Sequence, residues 1–233
     1  MHPGAAPAGL SGAAVEIAGA RLELLPTGAL WWPAEGLLAV GDLHLGRSER
    51  TARTGSGLIP PYETRDTLNR LEAEVAAREP ATVVCLGDSF DDTGAARALA
   101  PVLVGRVGAL AEGRDWIWVA GNHDPGPPGL PGRPVGELAR GPLALRHAAG
   151  AERPTGGEIS AHYHPKARLS HRGRRICRPC FLWDARRLIL PAFGTYTGGL
   201  DAGSAAFDAL LGREARAGLL GRALTVLPRA ALA

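Results

Sequence analysis

Three times between residues 37 and 124 a short apolar run stops at a glycine and is followed at once by a side chain with an oxygen or nitrogen to offer. Leu37–Val40 runs into GDLHLG, residues 82–86 into GDSFDD, and residues 116–120 into GNHD. An apolar run closed by glycine reads as a buried strand that ends in a tight turn. Side chains two apart in an extended chain point the same way, so Asp42 and His44 leave the first strand end together. That puts a carboxylate and an imidazole within reach of one metal ion. Alone they would mean little, since Asp42 would cap the turn and His44 would be an ordinary surface histidine. Between the runs the apolar spacing becomes helical. Pro60 and Pro61 open a helix, as proline does in a first turn. Leu68, Leu71, Val75 and Ala76 give it one apolar face to about Arg78. An alanine-rich helix is expected over about 95–110. Strand, polar turn and helix in repetition predict an α/β arrangement with the polar turns gathered at one sheet edge.

Ahead of these units, the apolar runs 15–18, 22–25 and 29–32 are separated by Gly19, by Pro26 with Gly28, and by Glu35 with Gly36. They read as antiparallel hairpins leading into the first central strand. The stretch GRSERTARTGSGLIPP is expected to be a long polar loop carrying Arg47, Arg50 and Arg53. DPGPPGLPGRP resembles a linker, yet nothing after it forms a self-sufficient α/β unit. The later pattern is mostly strand: 143–146 ending at His147, 158–161 ending at His162 and His164, and a meander of alternating arginine and apolar residues over 174–190. A glycine-rich turn, FGTYTGG, a short helix near 205–211 and a last strand near 223–227 follow. The expectation is one domain over residues 1–233, with 1–14 a disordered tail, and two mixed sheets packed as a sandwich with helices outside.

With 45% hydrophobic residues the chain can bury a sizeable core, and its net charge of +3 suits a polyanionic substrate without the density of a histone-like binder. Of the 26 basic residues only Lys166 is a lysine, which fits a GC-rich coding bias. No apolar stretch approaches membrane-spanning length, and the first residues lack the basic start of a secretion signal, so a soluble cytoplasmic protein is expected. Three cysteines, Cys85, Cys177 and Cys180, argue against a disulfide framework. The C-R-P-C pair lacks the second ligand pair of a zinc ribbon and is followed by strand-like sequence, so both its cysteines are expected to be buried and structural.

Asp42, His44, Asp88, Asn122, His123, His147, His162 and His164 all sit at expected strand ends, and five of the seven histidines are among them. Each alone has a bland explanation. The ordered set D-x-H, G-D, G-N-H-D, H and H-x-H, each behind an apolar strand, is far more specific. In that order these residues resemble the calcineurin-like metallophosphoesterase superfamily. The later stretches RRICRPCF and FGTYTGG resemble its ligase-associated DNA damage response endonucleases.

The resemblance implies a four-layer fold, α/β (α+β), and two divalent ions. One would be held by Asp42, His44, Asp88 and His164, the other by Asp88, Asn122, His147 and His162, with Asp88 shared. Oxygen and imidazole donors without thiolate suit manganese first, with iron, zinc or nickel as alternatives. Two ions, two aspartates and a bridging hydroxide leave a formal charge of about +1, which favours a phosphodiester that the hydroxide would attack in line. The resemblance makes His123 the group that steadies or protonates the leaving oxygen, with Asp124 orienting it. Asp91, or its neighbour Asp92, would support ligand geometry. Asn122 and the arginines Arg47, Arg50 and Arg53 would contact substrate phosphate, the arginines as a flexible clamp or as no more than a solvated charge run. Alanine at 161, where the family has glycine, would strain a left-handed backbone and disturb the approach of His162. The implied activity is DNA cleavage in repair, with a ligase, a helicase and an exonuclease as partners. A phosphodiesterase or phosphatase of small nucleotides, and a non-catalytic repair subunit, are the competing readings.

Overall fold

The computed structural model describes residues 12–57, 59–124, 129–171 and 173–232. Strands β1 (Ala13–Ile17), β2 (Ala20–Leu24), β3 (Leu30–Trp32) and β4 (Leu37–Val40) form an antiparallel run. Helices α1 (Arg47–Thr54) and α2 (Glu63–Arg78) lead to β5 (Thr82–Cys85), and α3 (Thr93–Ala98) and α4 (Pro101–Ala111) lead to β6 (Asp115–Val119). Strand β7 (Arg133–Val135) follows. From β4 to β7 the pairing is parallel, so the first sheet keeps chain order across its width.

The second sheet is built from β8 (Leu138–Arg140), β9 (Leu143–Leu145), β10 (Gly157–Ser160), β11 (Lys166–His171), β12 (Arg174–Trp183), β13 (Arg187–Ile189), β14 (Arg216–Leu219) and β15 (Thr225–Pro228). Its order is β15-β14-β12-β13-β10-β9-β8, with β11 paired to β12 off that path. Strands β9, β10 and β13 are mutually parallel.

Strand β4 shows why the sheets stack. Leu37 and Ala39 enter the core between the sheets, beside Val84, Ile117, Ile159 and Leu188. Leu38 and Val40 face the other way, against Leu68, Leu71 and Val75 of α2 and Val107 and Leu110 of α4. A strand buried on both faces reads as a continuous apolar run. Each such leucine or valine contributes about 1.5–3 kcal/mol. A few of them therefore match the whole net stability of a domain, about 5–15 kcal/mol, and they fix where the polar turns at the strand ends must lie. The outer face of the second sheet is covered by Ala202, Phe207, Leu211 and Leu232.

The α/β sandwich is as the sequence implies, but several elements differ. The expected loop after His44 contains α1, which buries none of its residues and so carries no apolar stripe for a sequence reading to find. Polar ties hold it instead: Arg47 and Arg50 to Asp91, Arg53 to Asp92, and Ser48 to Glu63. The single helix expected over 95–110 is two, broken where Leu99 and Ala100 are extended, the latter because Pro101 disfavours helical backbone in the residue before it. Residues 1–11 of the expected tail lie outside the described residues, while Ala13 and Ala14 already belong to β1. The short helix near 205–211 is a 3₁₀ turn, Ala205–Phe207. Strands β7, β8, β11 and β14 are short or weakly patterned, and the sequence pattern does not show them. Cys180 is buried as expected, but Cys177 is exposed, because it sits on the half of β12 that pairs only with β11.

Candidate metal centre

Five parallel strands, β4, β5 and β6 of one sheet and β9 and β10 of the other, deliver the polar turns to one edge at their carboxyl ends, where open parallel sheets place their ligands. The first two turns are laced together by His44 N–H to the Asp88 carbonyl (3.0 Å) and Leu45 N–H to the Ser89 carbonyl (2.9 Å). The third is seated closely enough that a Cβ on Gly121 would collide with Asp88, and one on Gly87 with the His147 ring.

Each aspartate divides its two oxygens between two jobs. Asp42 Oδ2 accepts the His162 N–H at 2.9 Å, and its Oδ1 is left buried without a hydrogen bond, 3.3 Å from His164 Nε2. Asp88 Oδ1 accepts the His123 N–H at 2.9 Å, and its Oδ2 faces His147 Nε2 at 3.3 Å. One oxygen pins a neighbouring turn and the other points inward.

The histidines are fixed the same way. His147 Nδ1 lies 2.9 Å from the Leu86 carbonyl, which can only accept, so the proton is on Nδ1 and Nε2 offers a lone pair. Around that Nε2 stand Asn122 Oδ1 at 2.8 Å, His162 Nδ1 at 3.0 Å and Asp88 Oδ2. His44 Nδ1 lies 3.0 Å from Asp91 Oδ1, and His44 Nε2 and His164 Nε2 are buried with no hydrogen-bond partner. Buried polar atoms without partners are rare and costly. Here they cluster, and most are lone-pair donors facing one another.

Donor atoms of Asp42, His44 and His164, and of Asp88, His147 and His162, each fall within 4.8 Å of one another. Two cations satisfy this arrangement and a neutral interior does not. The site's electrostatics agree. Burial opposes charge on His147, yet Asp88, Asp42 and the Leu86 carbonyl outweigh it and raise its affinity for a second proton. Burial would raise Asp88, but His147 and the His123 N–H hold it at about 2.

Asp42, His44, Asp88, His162 and His164 all have left-handed backbones, with φ between 45° and 68°. Non-glycine residues rarely adopt this region, and each instance costs on the order of 1–3 kcal/mol. Ala161 has no such φ, so the strain expected there falls on His162 and His164 instead.

Among the catalytic candidates, His123 is partly exposed. Its Nδ1 is 3.1 Å from the Asp91 carbonyl and its Nε2 is 3.9 Å from Asp88 Oδ2. Its orientation thus comes from the Asp91 backbone and not from Asp124, as the sequence suggested. Asp124 is buried against the second turn, where its Oδ2 accepts the Phe90 N–H at 2.6 Å, and burial raises its pKa to about 6. Asp91 meets His44, Arg47 and Arg50 together. Burial would raise it, but these partners hold it at about 2. Asp92 caps α3 through the Ala95 N–H. Sequence reasoning missed the Leu86 and Asp91 carbonyls, because a backbone acceptor leaves no residue-type signal.

The Calcineurin-like phosphoesterase family profile matches residues 37–181, a span that contains every residue of both donor sets. The chain belongs to the calcineurin-like phosphoesterases. It is a metal-dependent phosphoesterase, and the family's divalent ions have two candidate sites here. Among solved structures it is similar to a Pseudomonas putida nuclease, MPE, at 29% identity and a TM-score of 0.73, covering 93% of this chain and 100% of that one. It also matches Yfce, a phosphoesterase from E. coli, at 15% identity and a TM-score of 0.39, covering 84% and 94%. No curated protein matched. No helix among the described residues is long and apolar enough to cross a membrane.

Proposed function

We propose that this calcineurin-like phosphoesterase is a single-domain, dinuclear phosphodiesterase that cleaves DNA, working in repair in the cytoplasm. The observation that carries the reading is its likeness, over 93% of this chain and 100% of the other, to a nuclease. Asp42, His44, Asp88 and His164 would hold one ion, and Asp88, Asn122, His147 and His162 the other, with manganese the expected metal. Such ions supply Lewis acidity at phosphorus and a nucleophile at neutral pH.

The protein's own groups do the rest. With two divalent ions and a hydroxide bound, the carboxylates of Asp42 and Asp88 would leave the site at about +1, so one phosphodiester charge is attracted. His123, its Nδ1 proton held by the Asp91 carbonyl and its Nε2 3.9 Å from Asp88 Oδ2 on a partly exposed ring, can as the imidazolium pass its Nε2 proton to the leaving oxygen. Asn122 stands between the second donor set and solvent, within reach of a phosphoryl oxygen. Arg47 spends one nitrogen on Asp91, Arg50 one on Asp91 with a second 3.6 Å from Asp92, and Arg53 one on Asp92, so each keeps N–H groups for a substrate phosphate.

The test is a matrix of manganese, iron, zinc and nickel against single-stranded DNA, duplex DNA, a cyclic nucleotide and a phosphomonoester, with Asp88→Asn as control. Manganese-dependent DNA cleavage is expected. Hydrolysis of small esters without DNA cleavage would make the chain a small-molecule phosphoesterase. Metal binding with no hydrolysis, together with co-purification of a ligase, helicase or exonuclease, would make it a non-catalytic subunit.

A further inference from the structure

We infer that Tyr196 and Tyr62 form a stacking platform for a nucleobase of the strand being cut, beside the metal centre. The inference rests on the nuclease reading above and deepens it by assigning a place to the base as well as the phosphate.

Residues 193–200, FGTYTGGL, form a strap sewn to both halves of the first donor set. At one end Phe193 N–H bonds the Gly41 carbonyl (2.8 Å) and Gly194 N–H bonds the Asp42 carbonyl (3.0 Å). At the other, Gly199 packs against the His164 carbonyl with no room for a Cβ, and Leu200 N–H bonds the Tyr163 carbonyl at 3.2 Å. The strap therefore borders the ligands Asp42 and His164, and Tyr196 lies at its middle. Consecutive Cα atoms are about 3.8 Å apart, so the Tyr196 Cα is at most roughly 7–8 Å from that of Gly194.

Tyr196 is held rigidly. Thr195 before it takes the Arg70 guanidinium at 2.9 Å and donates its hydroxyl to Asp66 at 2.6 Å. Thr197 after it gives its carbonyl to Lys166 Nζ at 2.7 Å. Tyr196 itself is left-handed, φ 62°, a conformation a tyrosine adopts only when its surroundings impose it. The outcome of this strain is an exposed ring. Among the described residues, the large exposed apolar side chains are Tyr62 (54%), Val102, Tyr196 (43%) and Leu200. Two of these, Tyr196 and Leu200, are on the strap. Tyr62, at the start of α2, meets Tyr196 hydroxyl to hydroxyl at 3.0 Å, with ring centroids 6.1 Å apart.

The chemistry of the pair selects its occupant. A large aromatic offers on the order of 150–250 Å², and these rings are about half exposed, well short of the roughly 800 Å² per partner of a stable protein contact. That area does suit one flat heterocycle. Lys166, whose Nζ lies on the Thr197 carbonyl beside Tyr196, provides the positive charge that accompanies stacking rings in single-strand binding sites. A phosphate at the donor atoms would carry its base outward, toward this rim.

The test measures anisotropy of a fluorescein-labelled single-stranded oligodeoxynucleotide and of a base-free strand of equal length, on the full chain. Tyr196→Gly suits the left-handed backbone and removes the ring without unfolding the strap; Tyr196→Phe keeps the ring. The glycine variant should bind the base-bearing strand roughly ten- to a hundred-fold more weakly, bind the base-free strand as the native chain does, and melt no lower. The phenylalanine variant should bind both like the native chain. Equal losses on both strands, no loss on either, or a native chain that binds neither overturns the platform. Cleavage of the same strands with manganese is scored separately. Binding that depends on Tyr196 without cleavage defeats the nuclease reading alone. Cleavage with binding indifferent to Tyr196 defeats the platform alone.

Discussion

Arg187 in β13 and Asp42 and Asp88 at the metal centre are buried to the same depth, 1–2% exposed, yet their charge is met in different ways. Arg187 faces Glu158 with Nε 2.7 Å from Oε1, and its other nitrogens reach the carbonyls of Leu210 (2.7 Å), Gly150 (2.8 Å) and Glu152 (2.8 Å). Opposite charge meets opposite charge at Nε, which is not aligned for a hydrogen bond to Glu158, the other guanidinium nitrogens meet carbonyl acceptors, and the backbone of Arg187 is outside the left-handed region. At the metal centre lone pairs meet lone pairs on strained backbone. Both clusters bear the cost of taking charge out of water. The first is completed by the chain and serves to tie loops to a sheet. The second can be completed only by a guest, which is what a binding site is.

The sharpest way to break this contrast is Asp88→Asn. The amide oxygen can still accept the His123 N–H, and asparagine tolerates φ near 45°. Turnover should fall at least ~1000-fold, about 4 kcal/mol of barrier, while the melting temperature holds or rises; near-native turnover would refute the sharing of Asp88 between ions. Arg187→Met should do the opposite. It strands Glu158 and should cost about 3–5 kcal/mol of stability, roughly 6–20 °C in melting temperature for a chain of this size. Adding Glu158→Leu should recover most of the loss in urea titrations, as buried pairs replaced together often do. Failure to recover would mean that Arg187 acts mainly through its three carbonyls.

A smaller effect comes from the guest. A divalent ion at 100 times its dissociation constant should stabilise the chain by about 2.7 kcal/mol. Scanning calorimetry with and without chelator reads it, and an unmoved transition would undo the idea that the lone-pair cluster is incomplete. Smallest is the contrast between exposed Cys177 and buried Cys180, whose thiol burial pushes up to about 12. Cys177 should react quickly with a thiol reagent and Cys180 should not, and Cys177→Ser should shift stability by less than about 0.5 kcal/mol. Equal reactivity of the two thiols would show β12 opening at its outer half.

Legibility in the sequence follows the same division. Strands β4, β5 and β6 could be read because each buries both faces, and their polar ends stood out against that background. The six residues of the two candidate donor groups, and Asn122 beside His147, could be named because His, Asp and Asn there have no apolar reason to be present. Helix α1 could not be read, since ion pairs to Asp91 and Asp92 hold it and such pairs are invisible until the chain is folded. The resemblance gives Asp124 to its neighbour His123, but in the fold its carboxylate turns toward Phe90, 34 residues earlier. Tyr62 and Tyr196 lie too far apart in sequence to suggest a pair. Only the glycines around Tyr196 hinted that its backbone was unusual.

The distribution of donors between the two sheets makes metal capture a report on biosynthesis. Asp42, His44, Asp88 and Asn122 belong to the first sheet's turns, whereas His147, His162 and His164 arrive only with β9 and β10. A growing polypeptide that has emerged past Asn122 carries two acids, one histidine and an amide but neither complete set. Its Asp42 still lacks the His162 N–H that orients the carboxylate. Tight uptake of the second ion should begin only when the second sheet docks on the first. In a cell that makes this hydrolase on the ribosome, the chain would then stay inert toward phosphate esters until the last of its histidines is in place.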